Sequence, residues 1–369
     1  MTQRILPTTY DPAAVEEKWM AHWQARGYDH AEVRPGAPRF CITIPPPNVT
    51  GELHMGHALQ HAIHDAVIRW QRMLGHETLC VPGTDHAGIA TQMKVERQLA
   101  AEGLTKYALG REAFLERMWQ WKEHYGGAIL RQLKRFGASY DWRRERFTLD
   151  PGYTKAVRTA FVHLYEKGLI YRGVRIINWC PSCETAISDL EVEHEERQGK
   201  LWHFTYPFAD EDGGVIVATT RPETMLGDTA VAVNPEDPRY SHLVGKTVVL
   251  PLMNRPIPII ADTYVDPAFG TGAVKVTPAH DPNDAEMGRR HDLPAPIVIG
   301  KDGRMTAEAG PYAGLDRYEA RAAVLADLEK LGLLVATQEH THAVGACARC
   351  AATIEPLLSE QWFVAMQPL

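Results

Sequence analysis

The sequence lacks the features that mark a membrane or a secreted protein. It contains no stretch of 18 consecutive apolar residues, which argues against a transmembrane helix. The segment from Met1 to Trp19 has no basic part followed by an apolar run, so no secretory signal is evident. Internal repeats and low-complexity stretches are also absent. At 369 residues the chain is long enough for two domains and a sizeable core.

An excess of positive charge is missing as well. The chain has 39 Lys and Arg against 46 Asp and Glu, a formal net charge of −7. This balance argues against a general nucleic-acid coat protein, because phosphate binding draws on clustered cations. A local basic patch remains compatible with it, and its candidates are Arg131, Lys134, Arg135, Arg143, Arg144 and Arg146. A solvated helix face explains these residues equally well.

Cysteine is scarce, and its spacing is informative. Four of the six cysteines form two Cys-x-x-Cys pairs, Cys180 with Cys183 and Cys347 with Cys350. Each pair presents two thiolates from one tight turn, so together they could complete a tetrahedral zinc site in a reducing, cytoplasmic protein. Free thiols are the main alternative, and redox chemistry ranks last. The other two, Cys41 and Cys80, fall in predicted strands, and we expect both in the core.

Two histidines stand where a predicted strand turns into a predicted helix. Residues 40–44 form a short β-branched run typical of a buried strand, and from residue 59 onward apolar residues recur at helical spacings of three and four. His54, Gly56 and His57 lie between the two segments. Free backbone N–H groups and the positive end of a helix dipole suit an anion at such a junction. The pattern indicates a nucleotide site without a P-loop, although turn histidines with satisfied hydrogen bonds are the common alternative.

The rest of the chain indicates a mixed α/β organisation. The first ~185 residues alternate strand-like and helix-like patterns, as a doubly wound sheet would. A second strand at residues 77–81 leads into a loop with Asp85, and helices are predicted at residues 111–136 and 154–167, the latter with Thr154 as N-cap and Gly168 as stop. From residue 201 to 298, short β-branched runs predict a compact, barrel-like β domain. Residues 317–331 read as helical.

The motif His54-Met55-Gly56-His57 resembles the first signature of class I aminoacyl-tRNA synthetases. Its lead-in, Pro-Pro-Pro-Asn-Val-Thr-Gly at residues 45–51, resembles the valyl branch, and the similarity continues through residues 83–92. The resemblance implies an α/β fold in which a Rossmann-like nucleotide-binding half-domain is interrupted by a β-rich, barrel-like editing domain. The implied boundaries are residues 1–189 for the half-domain, 190–342 for the editing domain and 343–369 for a return segment. Valine, ATP with Mg²⁺ and tRNA(Val) are the implied substrates.

The resemblance also assigns roles in the synthetic site. Its implied ATP-binding residues are Asn48, His54, Gly56 and His57, and the two histidines would stabilise the transferring α-phosphate electrostatically. The implied amino-acid contacts are Pro46, Asn48 and Asp85, with the Asp85 carboxylate on the substrate ammonium. A plain turn for Pro46 and Asn48, and a helix N-cap for Asp85, are the alternatives.

Two further segments, residues 219–224 and 270–284, resemble the threonine-rich and His-Asp-x-x-Asp parts of the family's editing domain. Asp281 would hold the ammonium of a misattached amino acid. The other implied editing residues are Arg221, Thr224, Lys275, Thr277 and Asp284. Turn chemistry at strand ends is the simpler explanation of the bare pattern. There is a physical reason for editing, because an apolar pocket that binds valine cannot strongly reject threonine, a near-isostere with a hydroxyl group.

No Lys-Met-Ser-Lys-Ser loop, the family's second signature, occurs in the sequence. The resemblance therefore implies the N-terminal part of a valine–tRNA ligase, and we expect negligible synthetase activity from this chain alone. The alternatives are a freestanding editing deacylase, a non-catalytic tRNA-binding fragment and, less favoured by residues 45–50 and 84–87, an isoleucyl enzyme. We expect a monomer without membrane association.

Overall fold

The computed structural model describes residues 8–369. The expectation about a secretory signal rests partly on residues 1–7, which lie outside that range. The chain divides into two compact units, one ending at Lys167 and one covering Gly168–Leu369. No helix among residues 8–369 combines the length and the apolar character needed to cross a membrane.

The first unit alternates helices with short parallel strand pairs. Its helices are α1 (Pro12–Arg26), α2 (Met55–Met73), α3 (Ile89–Ala101), α4 (Lys106–Leu109), α5 (Arg111–Phe136) and α6 (Pro151–Glu166). Its strands are β1 (Arg39–Cys41), β2 (Glu77–Leu79), β3 (Gly83–Thr84) and β4 (Arg146–Phe147). The parallel pairs are β1 with β2 and β3 with β4. Parallel strands joined through helices confirm the α/β class for this unit.

Helix boundaries follow local capping chemistry. The observed α5 coincides with its predicted range. By contrast α6 begins at Pro151, not at Thr154, because the Asp150 side chain accepts a hydrogen bond from the Tyr153 N–H and the proline tolerates the first helical position. The expected stop is correct: Gly168 directly follows the C-cap with φ +70°, a conformation that glycine adopts without strain.

The sequence expectation about burial in the first unit is wrong for Cys41 and right for Cys80. The predicted strand at residues 40–44 ends at Cys41, whose side chain is exposed, so the core assignment of that cysteine is wrong. A strand of three residues sends alternate side chains to opposite faces, and Cys41 lies on the outer one. The assignment of Cys80 to the core is right, since it is fully buried against Ile68 and Tyr140.

Helix α2 is confirmed, but its inward face is not the apolar one that marks it in the sequence. Leu59, Ile63 and Trp70 are each more than half exposed. The buried positions are His61, Asp65 and Ile68 instead. Asp65 explains this orientation, because it accepts hydrogen bonds from Arg69 and from both the N–H and the hydroxyl of Ser139.

The second unit is dominated by strands. These are β5 (Ile170–Cys180), β6 (Thr185–Ile187), β7 (Val192–Pro207), β8 (Gly214–Thr219), β9 (Ala230–Val233), β10 (Thr247–Leu250), β11 (Arg255–Ala261), β12 (Ala273–Val276), β13 (Leu334–Cys347) and β14 (Glu355–Val364). Two helices, α7 (Pro282–Arg290) and α8 (Arg317–Lys330), accompany them. The five short strands predicted between residues 201 and 298 and the helix after residue 317 are all present.

Three sheets organise the second unit, in the orders β10-β11-β9-β12, β13-β7-β8 and β14-β5-β6. Side chains from the first two sheets share one core with α8, for example Phe204, Val233, Ile259 and Val324. No sheet closes into a barrel within the described part of the chain. The expected β-rich domain is therefore confirmed, whereas closure into a barrel is not seen.

The long strands β5, β7, β13 and β14 are not evident in the sequence. The start of β7 is a run of exposed polar side chains at residues 193–198, which lacks the apolar alternation that identifies a strand. Its backbone is nevertheless paired with β13 over the length of the strand. Cys180 ends β5 and Cys347 ends β13, and a tight turn follows each strand. These two turns, called the two hairpin ends below, bring Cys180 and Cys347 close together.

Candidate functional sites

His54 and His57 form a reciprocal capping box at the start of α2. The His54 Nδ1 accepts the Gly56 N–H at 3.1 Å, and the His57 Nδ1 accepts the His54 N–H at 3.2 Å. The two rings lie with their centroids 4.0 Å apart. A Cβ on Gly56 would stand 3.0 Å from the His54 ring, so the glycine leaves room for this arrangement.

The capping bonds determine the chemistry that both rings offer. A neutral imidazole that accepts at Nδ1 carries its proton on Nε2, which remains a donor. Burial, and secondarily repulsion from His54, lowers the pKa of His57, which favours that neutral form. The junction thus presents two Nε2–H donors beside the free N–H groups of a helix N-terminus, an arrangement suited to phosphate oxygens.

Asn48 and Asp85 lie side by side although 37 positions separate them. Their backbones form a parallel bridge, in which the Asp85 N–H donates to the Pro47 carbonyl at 2.8 Å and the Val49 N–H donates to the Asp85 carbonyl at 2.9 Å. The Asp85 Oδ1 accepts the Thr148 hydroxyl and the Ala87 N–H, each at 3.1 Å. Asp85 does not cap α3, because that N-cap is Gly88. The carboxylate is instead fixed by its own loop and by Thr148.

Pro46 lines a cleft of about 240 Å³ at the ends of β1 and β3, together with Ile44, Thr84, Thr148 and Tyr153. His54 lines a separate cleft of about 330 Å³ with Leu53, His61 and Gln132. The structure therefore brings Asn48 next to Asp85, and His54 next to His57, but it does not join Pro46 and His54 in one cavity.

In the second unit, Arg221 and Asp281 line the same cleft of about 700 Å³. Asp281 is the N-cap of α7, and its Oδ1 accepts the N–H groups of Asn283 at 2.8 Å and Asp284 at 3.1 Å. Thr224 is buried, and its hydroxyl donates to the Arg221 carbonyl at 2.9 Å. Two of the six expected editing residues thus reach the cleft, and Thr224 supports one of them from behind.

Arg221 belongs to a chain of alternating charges. Its Nε donates to Glu223 at 3.3 Å, and another guanidinium nitrogen donates to Glu355. Glu223 also accepts both guanidinium donors of Arg321, at 2.7 and 2.9 Å, and Glu355 pairs with Arg317 at 3.2 Å. Burial would raise the pKa of Glu223, but Arg321 and Arg221 hold it below its usual range. Three arginines (Arg197, Arg221 and Arg321) and two carboxylates (Asp281 and Glu355) line the cleft, which leaves an excess of one positive charge in its lining.

Lys275, Thr277 and Asp284 lie together in a buried network and do not line the cleft. Lys275 Nζ and the Thr277 hydroxyl both donate to the Asp228 Oδ1, at 3.1 and 2.5 Å, and Lys275 also donates to Thr277. The Thr277 N–H donates to the Asp284 Oδ2 at 2.8 Å. Burial raises the pKa of Asp284 to about 7.

The four paired cysteines form one cluster. Their Sγ atoms all lie within 4.8 Å of one another, and those of Cys180 and Cys350 are 3.4 Å apart. Tetrahedral zinc–thiolate bonds of about 2.3 Å would separate the sulfurs by roughly 3.8 Å, so the cluster fits a structural metal ion. Burial raises the pKa of Cys180 and Cys183. A bound cation would offset that cost by stabilising the thiolates.

Several contributing residues escape a reading of the sequence. Thr148 orients Asp85, Asp228 centres the buried network, and Glu223 and Glu355 hold Arg221. An acidic residue or a threonine at a strand end is too common to single out. The pairing of Arg221 with Glu355 spans 134 positions, and only the fold reveals such a contact.

A family model of the class I tRNA synthetases (I, L, M and V) matches residues 18–369. The chain belongs to this family. It is 62% identical over 364 residues to the valine–tRNA ligase of Carboxydothermus hydrogenoformans, covering 99% of this chain and 41% of that protein. The valine–tRNA ligases of Syntrophotalea carbinolica and Geobacter sulfurreducens are 59% and 58% identical, covering 99% and 100% of this chain and 40% and 42% of theirs.

The chain thus spans about 40% of the length of the curated relatives that it matches. Among solved structures, the ternary complex of Agrobacterium radiobacter K84 agnB2 LeuRS aligns with a TM-score of 0.43 at 20% identity, covering 94% of this chain and 49% of that one.

Proposed function

We propose that this chain is the part of a valine–tRNA ligase that binds ATP with Mg²⁺, selects valine and edits Thr-tRNA(Val). The observation that carries the synthetic half is the capping box of His54 and His57, which uses Nδ1 of each ring as an acceptor and leaves Nε2–H as a donor at the N-terminus of α2. The shared name of the relatives supports valine as the amino acid and tRNA(Val) as its acceptor.

In the proposed reaction the valine carboxylate attacks the α-phosphorus of ATP, forms valyl-adenylate and releases pyrophosphate. His54 and His57 donate hydrogen bonds to phosphate oxygens as negative charge develops on them, and no covalent intermediate on the protein is needed. Asp85 holds the valine ammonium by a charge-assisted hydrogen bond, and Pro46 supplies a stiff wall for the branched side chain. Asn48 and Gly56 complete the nucleotide contacts.

We place editing in the second unit, on the wall formed by Arg221 and Asp281. The cation excess around Arg221 favours the phosphate backbone at the 3′ end of a tRNA. In this proposal Asp281, which lines the cleft, holds the ammonium of a misattached threonine, while Thr224, Lys275, Thr277 and Asp284 support the wall. The two sheets that share one core would give this domain its barrel-like packing.

The finer architecture follows the same proposal. Residues 1–189 supply a Rossmann-like half-domain, residues 190–342 the inserted editing domain and residues 343–369 the return segment. We propose one structural zinc ion held by Cys180, Cys183, Cys347 and Cys350, which would fasten the two hairpin ends at the neck of the insertion. We expect the ligase to act as a cytoplasmic monomer, since tRNA charging serves translation.

Amino-acid selection is best tested in a full-length enzyme. Replacing the matching segment of the Carboxydothermus hydrogenoformans ligase with this chain provides one. Valine should support ATP–pyrophosphate exchange with a kcat/KM roughly 10² times that for isoleucine, because the pocket must exclude one extra methylene. A preference for isoleucine would overturn the assignment of the amino acid.

Editing is tested on the 369-residue chain itself. It should release threonine from radiolabelled Thr-tRNA(Val) faster than it releases valine from Val-tRNA(Val). Asp281→Ala should abolish the release of threonine. Asp266→Ala is a suitable control, because Asp266 is an exposed loop aspartate whose carboxylate accepts the nearby Ala268 N–H and which does not line this cleft. Equal release by the Asp281→Ala variant would exclude this cleft as the editing site.

A further inference from the structure

The buried network behind the editing cleft has Asp228 at its centre. Asp228 is fully buried and directly follows the turn at Pro222–Gly227. Its Oδ1 accepts from Lys275 and Thr277, and its Oδ2 accepts the Tyr206 hydroxyl at 2.6 Å. A buried carboxylate is tolerated only when its lone pairs are occupied and its charge is compensated, and these three partners meet both conditions.

A continuous path of hydrogen bonds leads from Asp228 to the cleft. The Thr277 hydroxyl donates to Asp228, and the Thr277 N–H donates to the Asp284 Oδ2. Asp284 stands in the first turn of α7, where its own N–H donates to the Asp281 Oδ1. Asp281 in turn lines the cleft. Asp228, which does not line the cleft, is therefore connected by three hydrogen bonds to Asp281, which does.

The same contacts limit what Lys275 and Thr277 can do. Two donor positions of the Lys275 ammonium are taken by Asp228 and Thr277, and the proton of the Thr277 hydroxyl is used by Asp228. Neither side chain lines the cleft. Thr277 connects the network to the start of α7 through its N–H, which donates to Asp284, and Lys275 contacts Thr277 and Asp228 behind it.

We propose that Asp228 is a positioning residue for editing: by fixing Thr277 and Lys275 it holds the first turn of α7 and so sets the position of Asp281 on the cleft wall. The inference rests on the proposed editing function of that cleft. Asp228 itself touches no substrate and acts only through Asp281.

Hydrogen exchange on the 369-residue chain tests the positioning without any enzymatic assay. Asp228→Ala should accelerate exchange of the Thr277, Asn283 and Asp284 amides about tenfold or more, because each of these amides donates to a carboxylate of the network. Asp228→Asn keeps one acceptor oxygen and should give an intermediate acceleration, and it serves as the test variant if Asp228→Ala does not fold. The amides of β10 provide an internal reference.

The matched control is Asp237→Ala. Asp237 is also a buried aspartate paired with a cation, Arg239, and it has no hydrogen bond to the network. This variant should leave the three amides unchanged. Exchange that is equally slow in the wild type and in both Asp228 variants would overturn the proposal.

Deacylation of Thr-tRNA(Val) tests whether the positioning matters for the reaction. Asp228→Ala should lower kcat about tenfold and leave KM within about twofold, because the tRNA supplies most of the binding energy. In an Asp281→Asn background the same substitution should cause no further loss, because Asp228 acts through Asp281. Multiplicative losses would contradict the proposal, since they indicate a separate structural effect.

Hydrogen exchange and deacylation together also distinguish a failure of this inference from a failure of the proposed function. A wild-type chain that releases no threonine would overturn the editing function, while hydrogen exchange would still decide whether Asp228 holds the start of α7.

Discussion

At the scale of single residues, the site chemistry depends on which groups are held neutral and which are held charged. Burial lowers the pKa of His57 and favours its neutral form as an Nε2–H donor, whereas Arg221 and Arg321 keep Glu223 ionised. Asp284 differs from Glu223, because burial raises its pKa to about 7 despite the nearby Lys275. These three protonation states follow from the burial and the partners of each group and not from its residue type.

The raised pKa of Asp284 predicts a pH dependence of stability. Between about pH 4 and pH 7 the folded chain binds a proton that the unfolded chain releases, so Asp284 should lower the free energy of unfolding as the pH rises through this range. His61 and His280 act in the opposite direction at the acidic end, since burial lowers their pKa to about 4 and about 3. The wild type must therefore be compared with a variant.

Asp284→Asn should gain stability relative to the wild type as the pH rises from 4 to 8, by an amount on the order of 1–3 kcal/mol. Urea unfolding at four or five pH values measures this difference. Asp237→Asn is the comparison variant, because the hydrogen bond from Arg239 lowers the pKa of Asp237, so this carboxylate stays ionised from pH 4 to 8 and the difference from wild type should stay nearly constant. A difference between Asp284→Asn and wild type that stays constant with pH would contradict a carboxyl group titrating near pH 7.

At the scale of elements, sequence patterns locate the strands and helices better than they show which face is buried. The short strands of the second unit are visible because β-branched residues and turn residues alternate. The long strands β7 and β13 are hidden, because backbone pairing and not an apolar face holds their exposed ends together. In α2 the polar Asp65 faces inward because Ser139 and Arg69 donate hydrogen bonds to its carboxylate. These partners cannot be inferred from the periodicity of the sequence.

The predictability of the candidate sites follows the same rule. His54, Gly56 and His57 lie within four positions, so the local motif alone indicates their shared junction. Asp281 and Arg221 come from distant segments and are found in the sequence only through the family resemblance. Asp228 and Glu355 have neither a motif nor a local spacing, and the fold alone places them beside Lys275 and Arg221.

The hairpin ends that carry the cysteine pairs give a prediction at this scale. The purified chain should contain about one zinc ion per molecule, because four cysteine sulfurs within 4.8 Å of one another match the ligand set of a structural site. Cys183→Ser should lose most of the metal and lower the thermal midpoint by several degrees, since a missing ligand weakens the tie between the hairpins. Elemental analysis and calorimetry measure both effects. Cys41→Ser, at an exposed cysteine outside the cluster, is the control, and a metal-free wild type would refute the site.

At the scale of the whole molecule, the proposed function divides two kinds of amino-acid selection between the two compact units. The first unit carries hydrogen-bond donors suited to phosphate and a cleft lined by Pro46, and the second carries a cleft lined by Arg221 and Asp281. Because the overall charge is −7, the proposed tRNA binding would depend on local patches such as the one around Arg221. Family membership connects the two, because activation of an aliphatic amino acid invites an error that a second, polar site can remove.

The most direct test of the account concerns the two histidines in the chimaeric full-length ligase. His54→Ala with His57→Ala, the double variant, removes both Nε2–H donors, and His54→Asn with His57→Gln is the control for the capping box, because both amide side chains can accept the capping N–H groups and keep a donor at each position. The account predicts that kcat for valine-dependent ATP–pyrophosphate exchange falls by about 10²–10³ in the double variant and less in the amide pair. His64→Ala, on the same helix, should leave it unchanged. Full exchange activity in the double variant would contradict the central claim that these imidazoles stabilise the transferring phosphate.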